Sequence, residues 1–346
     1  MKIKKIWPGF TLTVLSLVIL TTSCNDPSET TDLLGDWLRK SSFDGVTRSG
    51  AVSFTIGTRV FAGTGYDGTK RLKDFWEFDA AKNTWIKRAE LPGVARNSAV
   101  AFTVNGKGYV GTGLDGVNRL NDFWEYTPGP AGSTVDNGTW TQIANFPADA
   151  PYRYGAVALS LSNKGYVGAG YGGDAATGGG NNLKDWWSYN GTTWNRESSI
   201  GGDKRLNAFA FVISGVGYVG GGNNNNTYPY DFWKFDGTNW TELNGLDDID
   251  DSDFTYRLQR ESAVTFTIGN SGYLVTGSEN SSTLKTCWEY NPSTDSWTQK
   301  TDFEGAPRDG AIGFSVGTKG YVTTGRNGTT RFDDIWEFDP TLEKVE

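Results

Sequence analysis

RNSAVAFTVNGKGYVGTG, running from Arg96 to Gly113, decides the fold. Its first half alternates. Val100, Phe102 and Val104 fall on one side, and Ala99, Ala101 and Thr103 on the other. A two-residue period with one bulky and one small face predicts a β-strand in a crowded place, where neighbouring sheets converge. Asn105-Gly106 is a tight turn signal, and Tyr109-Val110-Gly111 begins a return strand.

The phrase occurs six times, beginning at Arg48, Arg96, Arg153, Arg205, Arg260 and Arg308, at intervals of 48 to 57 residues. The first copy has Val52, Phe54 and Ile56 opposed to Ala51, Ser53 and Thr55. The second strand closes on a glycine in every copy: Gly65, Gly113, Gly170, Gly222, Gly277 and Gly325. Glycine suits a strand end that turns sharply or nears another backbone. A third strand carries Trp76, Trp124, Trp187, Trp233, Trp288 or Trp336, and a fourth carries Trp85, Trp140, Trp194, Trp240 or Trp297. The sixth copy stops near Phe338-Asp339 without a fourth strand. The segment around Trp37, ahead of the first copy, reads like that missing strand. Chain ends that complete one sheet predict a closed ring, whereas an open solenoid ends in polar caps.

The succession Arg-x-x-Ala, Gly-Tyr-Val-x-x-Gly, Asp-x-Trp-Glu-Tyr-(Asp/Asn) and a final Trp resembles the Kelch repeat, from about Asp32 onward. The resemblance implies an all-β, six-bladed Kelch-type β-propeller with four antiparallel strands per blade, the last blade closed by the N-terminal strand. The usual Gly-Gly after the second strand is mostly Thr-Gly here; Gly221-Gly222 alone keeps the pair. Galactose oxidase and the bacterial sialic acid mutarotases share such a propeller. The copper site of the former needs histidine, and this chain has none. No cofactor and no metal is therefore expected.

The absence of histidine also excludes a Ser-His-Asp triad and an imidazole base. Two cysteines exclude a disulfide framework. A net charge of −8 argues against a nucleic-acid partner. Lys2, Lys4 and Lys5, an apolar run to Leu20 and the small residues before Cys24 predict a signal peptide over 1–23. Cys24 sits where a lipoprotein signal places its acylated cysteine, although Thr21 stands where Leu is usual. The expected mature protein is lipid-anchored in the cell envelope, periplasmic or on the outer membrane, with a polar tether over 24–31 and the propeller over 32–346.

Strand order sorts the loops. The second-to-third and fourth-to-first connections share the face at which the first strands begin; this is the entry face. Long varied loops gather there, including Tyr171 to Asn182, Asn223 to Pro229 and Leu243 to Gln259. The opposite face has tight turns, with Thr127 to Thr139 the exception. Variable loops on a rigid scaffold are where binding usually sits. The entry face is thus the candidate glycan- or protein-binding surface. Its candidate residues are Arg48, Arg96, Arg153, Arg205, Arg260 and Arg308, expected as a ring at the channel mouth, and Arg71, Arg119 and Arg331 with Tyr66, Tyr171 and Tyr228. Two bland readings stand beside these. The leading arginines bond carbonyls or pair with the third-strand Glu77, Glu125, Glu289 and Glu337, which would leave Arg153 and Arg205 unpaired and open to an anion. Arg71, Arg119 and Arg331 pair with the Asp three residues on. The acidic run Asp247 to Asp253 reads as a solvated loop sooner than a calcium site, since it lacks an EF-hand's glycine and terminal Glu. Cys287 reads as a buried apolar filler.

The leading functional expectation is a non-catalytic binding module for glycan or protein. The alternative is a mutarotase- or epimerase-like enzyme on sialic acid or another acidic sugar, for which carboxylates and arginines suffice as proton carriers.

Overall fold

The computed structural model describes residues 33–173, 179–247 and 257–344. The expected signal, Cys24, the tether and most of the acidic run lie outside these residues. The described chain is all-β. Its main sheets are six and antiparallel: five have four strands in simple meander order, and the sixth has four main strands and one short extra strand. In the first, Val52–Ile56 pairs with Arg59–Gly63, then Phe75–Asp79, then Thr84–Arg88. The sixth runs Asp309–Val316, Lys319–Asn327, Ile335–Glu343 and finally Leu34–Arg39. Trp37 faces Phe338 and Asp36 faces Asp339 across that last pair, so the N-terminal strand closes the sixth blade.

Ring closure is written in single hydrogen bonds. The amide of Ser98 donates to the Gly50 carbonyl, Gly155 to Ser98, Asn207 to Gly155, Ser262 to Asn207, Gly310 to Ser262, and Gly50 back to Gly310, all at 2.8–2.9 Å. Each of these residues has a positive φ, between 52° and 63°. The left-handed turn swings each inner strand's start against the next blade, forming a six-membered backbone annulus. Outside it, the amides of the closing glycines reach the next blade's leading arginine carbonyl, as Gly65 does to Arg96 and Gly325 to Arg48, each at 2.8 Å. Gly113 shows why that position excludes a side chain. Its φ is +101°, and a Cβ there would lie 2.9 Å from the Asn97 carbonyl oxygen.

Alternation on the inner strands places both faces. Val52, Phe54, Val100 and Phe102 are buried between blades. The small residues Ala51, Ala99, Ala156, Ala208, Ala263 and Ala311 face the axis and leave a channel. Aromatic side chains fill the spaces between sheets, and most tryptophans are packing residues, as their regular spacing implies. Fourth-strand indoles also tie neighbouring blades. Trp140 donates to Ala89 O, Trp194 to Ala144 O, Trp240 to Ser198 O, and Trp37 to Thr301 O. Trp37 makes the bond that Trp140, Trp194 and Trp240 make, so the strand from the far end of the chain is an ordinary member of its blade.

Candidate functional site

The leading arginines are not a ring at the mouth. Arg48, Arg96, Arg153, Arg205, Arg260 and Arg308 are each 0–1% exposed. Each guanidinium follows one plan. Nε donates to the carbonyl two residues back, and Nη1 to the carbonyl sixteen residues on, as Arg48 does to Val46 O and Thr64 O. In five blades the guanidinium also meets an aspartate of the third-strand motif. Arg48 forks Asp74 with two bonds of 2.7 Å, Arg96 does the same to Asp122, and Arg153 and Arg308 fork Asp185 and Asp334. Arg205 binds Asp231. The same carboxylate takes the indole N–H of Trp76, Trp124, Trp187, Trp233 or Trp336. Burial alone would raise these carboxyls. The guanidinium bonds and charge, with the indole bond, hold Asp74, Asp122, Asp185 and Asp334 below their ordinary range.

Two pairing expectations are therefore corrected. Arg153 and Arg205 have aspartate partners. The third-strand glutamates serve other groups: Glu77 binds Arg59 and Arg88, Glu125 binds Lys107 and Tyr109, Glu289 binds Lys300 and Tyr273, and Glu337 accepts from Tyr321. The blade that departs is the fifth, where Thr286 stands in the aspartate's place and accepts from Arg260 Nη1 at 3.0 Å.

Arg71, Arg119 and Arg331 do not pair with the nearby Asp either, because the leading arginines hold it. They bridge entry-face hairpins. Arg331 lies over the Tyr66 ring of the next blade at 4.7 Å and donates to Tyr66 O. Arg71 lies over the same ring at 4.5 Å and donates to Asn97 Oδ1 in the second blade. Arg119 lies over Tyr171 in the third, at 5.0 Å, and donates to Gly179 O. Tyr228 accepts from the Asn280 amide across the next boundary. The structure thus brings Tyr66, Arg71 and Arg331 together, and sets Tyr171 with Arg119 and Tyr228 farther round. Cys287 is fully buried, and burial pushes its thiol well up, as an inert filler requires.

The channel mouth on the entry face is a cavity of about 260 Å³ above the backbone annulus. Tyr66, Asn97, Asn207, Ser262, Asp309 and Arg326 supply most of its side-chain chemistry. Arg326 Nε donates to Asp309 Oδ1 at 2.8 Å, and its side chain is 49% exposed. Nη1 and Nη2 of Arg326 have no acceptor among the described residues. Asn207 donates to Glu261 Oε2 at 3.0 Å, and Asn223 donates to Glu261 Oε1 at 3.3 Å, extending the polar rim. The opposite end of the channel opens into about 410 Å³ lined by Ser53, Thr103, Ser160, Thr265 and Ser315. Those hydroxyls are partly spent between blades, as Thr265 on Ala210 O and Ser315 on Thr267 O.

Sequence reasoning missed Arg326 and Asp309. The signal was positional: Arg326 follows the sixth closing glycine, where Tyr66 and Tyr171 stand in their copies, and Asp309 follows a leading arginine as Asn97 and Glu261 do.

Among solved structures, one titled "Structure of YjhT" matches with a TM-score of 0.68 at 14% identity, covering 86% of this chain and 95% of that chain. The fold is a β-propeller. At that identity the likeness is one of architecture alone. Scans against protein-family models and against curated proteins find no match.

Proposed function

We propose that the propeller is a binding module whose entry-face mouth takes a small acidic sugar. The single observation behind this reading is Arg326. Its Nε is fixed by Asp309, while its two remaining nitrogens stand unengaged beside a concave, polar cavity. A planar fork so held suits a carboxylate. Asn97, Asn207 and Ser262 offer donors and acceptors for hydroxyls, and the Tyr66 ring offers an apolar edge. The volume is that of a monosaccharide-sized ligand, not of a folded partner. The proposal also makes the protein a lipoprotein of the cell envelope, anchored through Cys24; labelling with a palmitate analogue, lost in Cys24→Ser, tests that part.

Titration calorimetry with sialic, glucuronic and galacturonic acids, and with their neutral counterparts, tests the ligand. Binding of an acid, weakened about 10- to 100-fold in Arg326→Ala, is expected, since a hydrogen bond to a charged group contributes about 1.5–3 kcal/mol. No heat with any sugar, or equal affinity in the variant, refutes the reading. A second reading adds turnover at the same mouth, because the Asp309 carboxylate lines it and could carry the proton of an anomer exchange. Exchange NMR that shows no acceleration over buffer leaves binding alone.

A further inference from the structure

Five blades end their buried arginine on a carboxylate, and the fifth does not. In those five, Nη2 meets the second oxygen, Oδ2, of Asp74, Asp122, Asp185, Asp231 or Asp334. In the fifth, Arg260 is equally buried, at 1% exposure. Its Nε donates to Leu258 O at 3.1 Å, and its Nη1 to Thr276 O and Thr286 Oγ1, both at 3.0 Å. Nη2 has no acceptor among the described residues. Thr286 Oγ1 therefore replaces one carboxylate oxygen and leaves the other without a substitute. What blade five lacks is one acceptor atom and one negative charge.

Among the described residues, neighbouring groups do not supply them. Glu279 pairs with Arg257, Asp302 lies 3.9 Å from Lys285, and the Cys287 thiol is buried in its neutral form. Both carboxylates act on Arg260 only at a distance. Burial lowers the guanidinium to about 10, so it remains a cation at neutral pH. An uncompensated buried cation is costly. Threonine reaches one bond less far than aspartate.

We infer that a chloride ion takes the Oδ2 position in the fifth blade, held by Nη2 of Arg260. It supplies both missing quantities, charge and acceptor, in one atom. The site is separate from the mouth, and the sugar-binding reading neither supports nor needs it.

The test compares thermal unfolding of the full mature chain in sodium chloride and in sodium methanesulfonate at equal ionic strength. Methanesulfonate is bulkier than chloride and is not a sugar acid, so the mouth does not enter the comparison. The wild type is expected to melt a few degrees higher in chloride, rising with the logarithm of its concentration, because a ligand of the native state stabilises by mass action. Thr286→Asp builds the absent carboxylate into the chain and is expected to melt higher in methanesulfonate and to ignore chloride. Asp122→Thr, which copies the fifth-blade arrangement into the second, should enlarge the chloride response. Equal melting of the wild type in both salts, or a Thr286→Asp variant that responds as the wild type does, overturns the inference. Should Thr286→Asp not fold, anomalous scattering from a bromide-soaked crystal decides: a peak beside Arg260 Nη2 is expected, and its absence refutes the site.

Discussion

Replacing Trp37 with alanine attacks the closure of the ring at its one non-covalent joint. The side chain is 3% exposed, sits 5.0 Å from Phe303 in an edge contact and 4.7 Å from Phe338, and donates to Thr301 O at 3.1 Å. Truncating a buried tryptophan costs about 3–5 kcal/mol through lost transfer and cavity terms. The orphaned Thr301 carbonyl adds about 1 kcal/mol. The expected loss is about 4–6 kcal/mol, a large share of the roughly 5–15 kcal/mol that holds a domain folded. Trp37→Phe keeps the ring against Phe303 and Phe338 and should lose less than half as much. Urea denaturation followed by tryptophan fluorescence and circular dichroism reads both. A chain starting at Lys40 goes further, since it bares the strand Ile335–Glu343 as an unpaired edge, and such edges pair with other copies. Size-exclusion chromatography should show it aggregated. A Trp37→Ala midpoint within about 1 kcal/mol of the wild type, or a truncated chain that stays monomeric and equally stable, would refute closure as the source of stability.

The remaining predictions concern the buried ion pairs and the glycine positions. Asp122→Asn keeps the shape of the carboxylate but strands the Arg96 charge, and should cost about 3–5 kcal/mol in chemical denaturation. Because Asp74, Asp122, Asp185 and Asp334 titrate lower folded than unfolded, their contribution is complete above about pH 4 and is lost as pH falls through the folded values. The melting temperature should therefore drop steeply below pH 4, and less steeply in Asp122→Asn. Gly113→Ala forces a side chain into a left-handed position 2.9 Å from a carbonyl oxygen, and should destabilise by about 1–3 kcal/mol, read from the same urea curves.

Repetition made the fold legible. Six copies of one hairpin phrase, and a stray Trp37 ahead of them, were enough to place every main strand and the join. The arginines were legible in position but not in direction. Alternation tells which side of a strand a residue occupies; at the leading arginines the chain is in the turn that precedes regular pairing, so alternation does not apply. Their partner was in view as the Asp of the Asp-x-Trp motif, 26 residues on in four copies and 32 in the third, with Thr286 in its place in the fifth. Folding brings that distant Asp nearer than the third-strand Glu. Arg326 and Asp309 were harder to see because each departs from what the repeat has in common. A consensus reports what packing demands of every blade, and a binding site is made from the differences between blades.

The joint at Leu34–Arg39 has a consequence for how the molecule is made. The strand that seals the circle, Leu34–Arg39, is made well before the strand it pairs with, Ile335–Glu343. At about 5–20 residues per second, roughly 300 residues of synthesis separate them, a wait of about 15–60 s. Throughout that interval the opening segment lacks this partner, and the circle cannot shut before Ile335–Glu343 has been made.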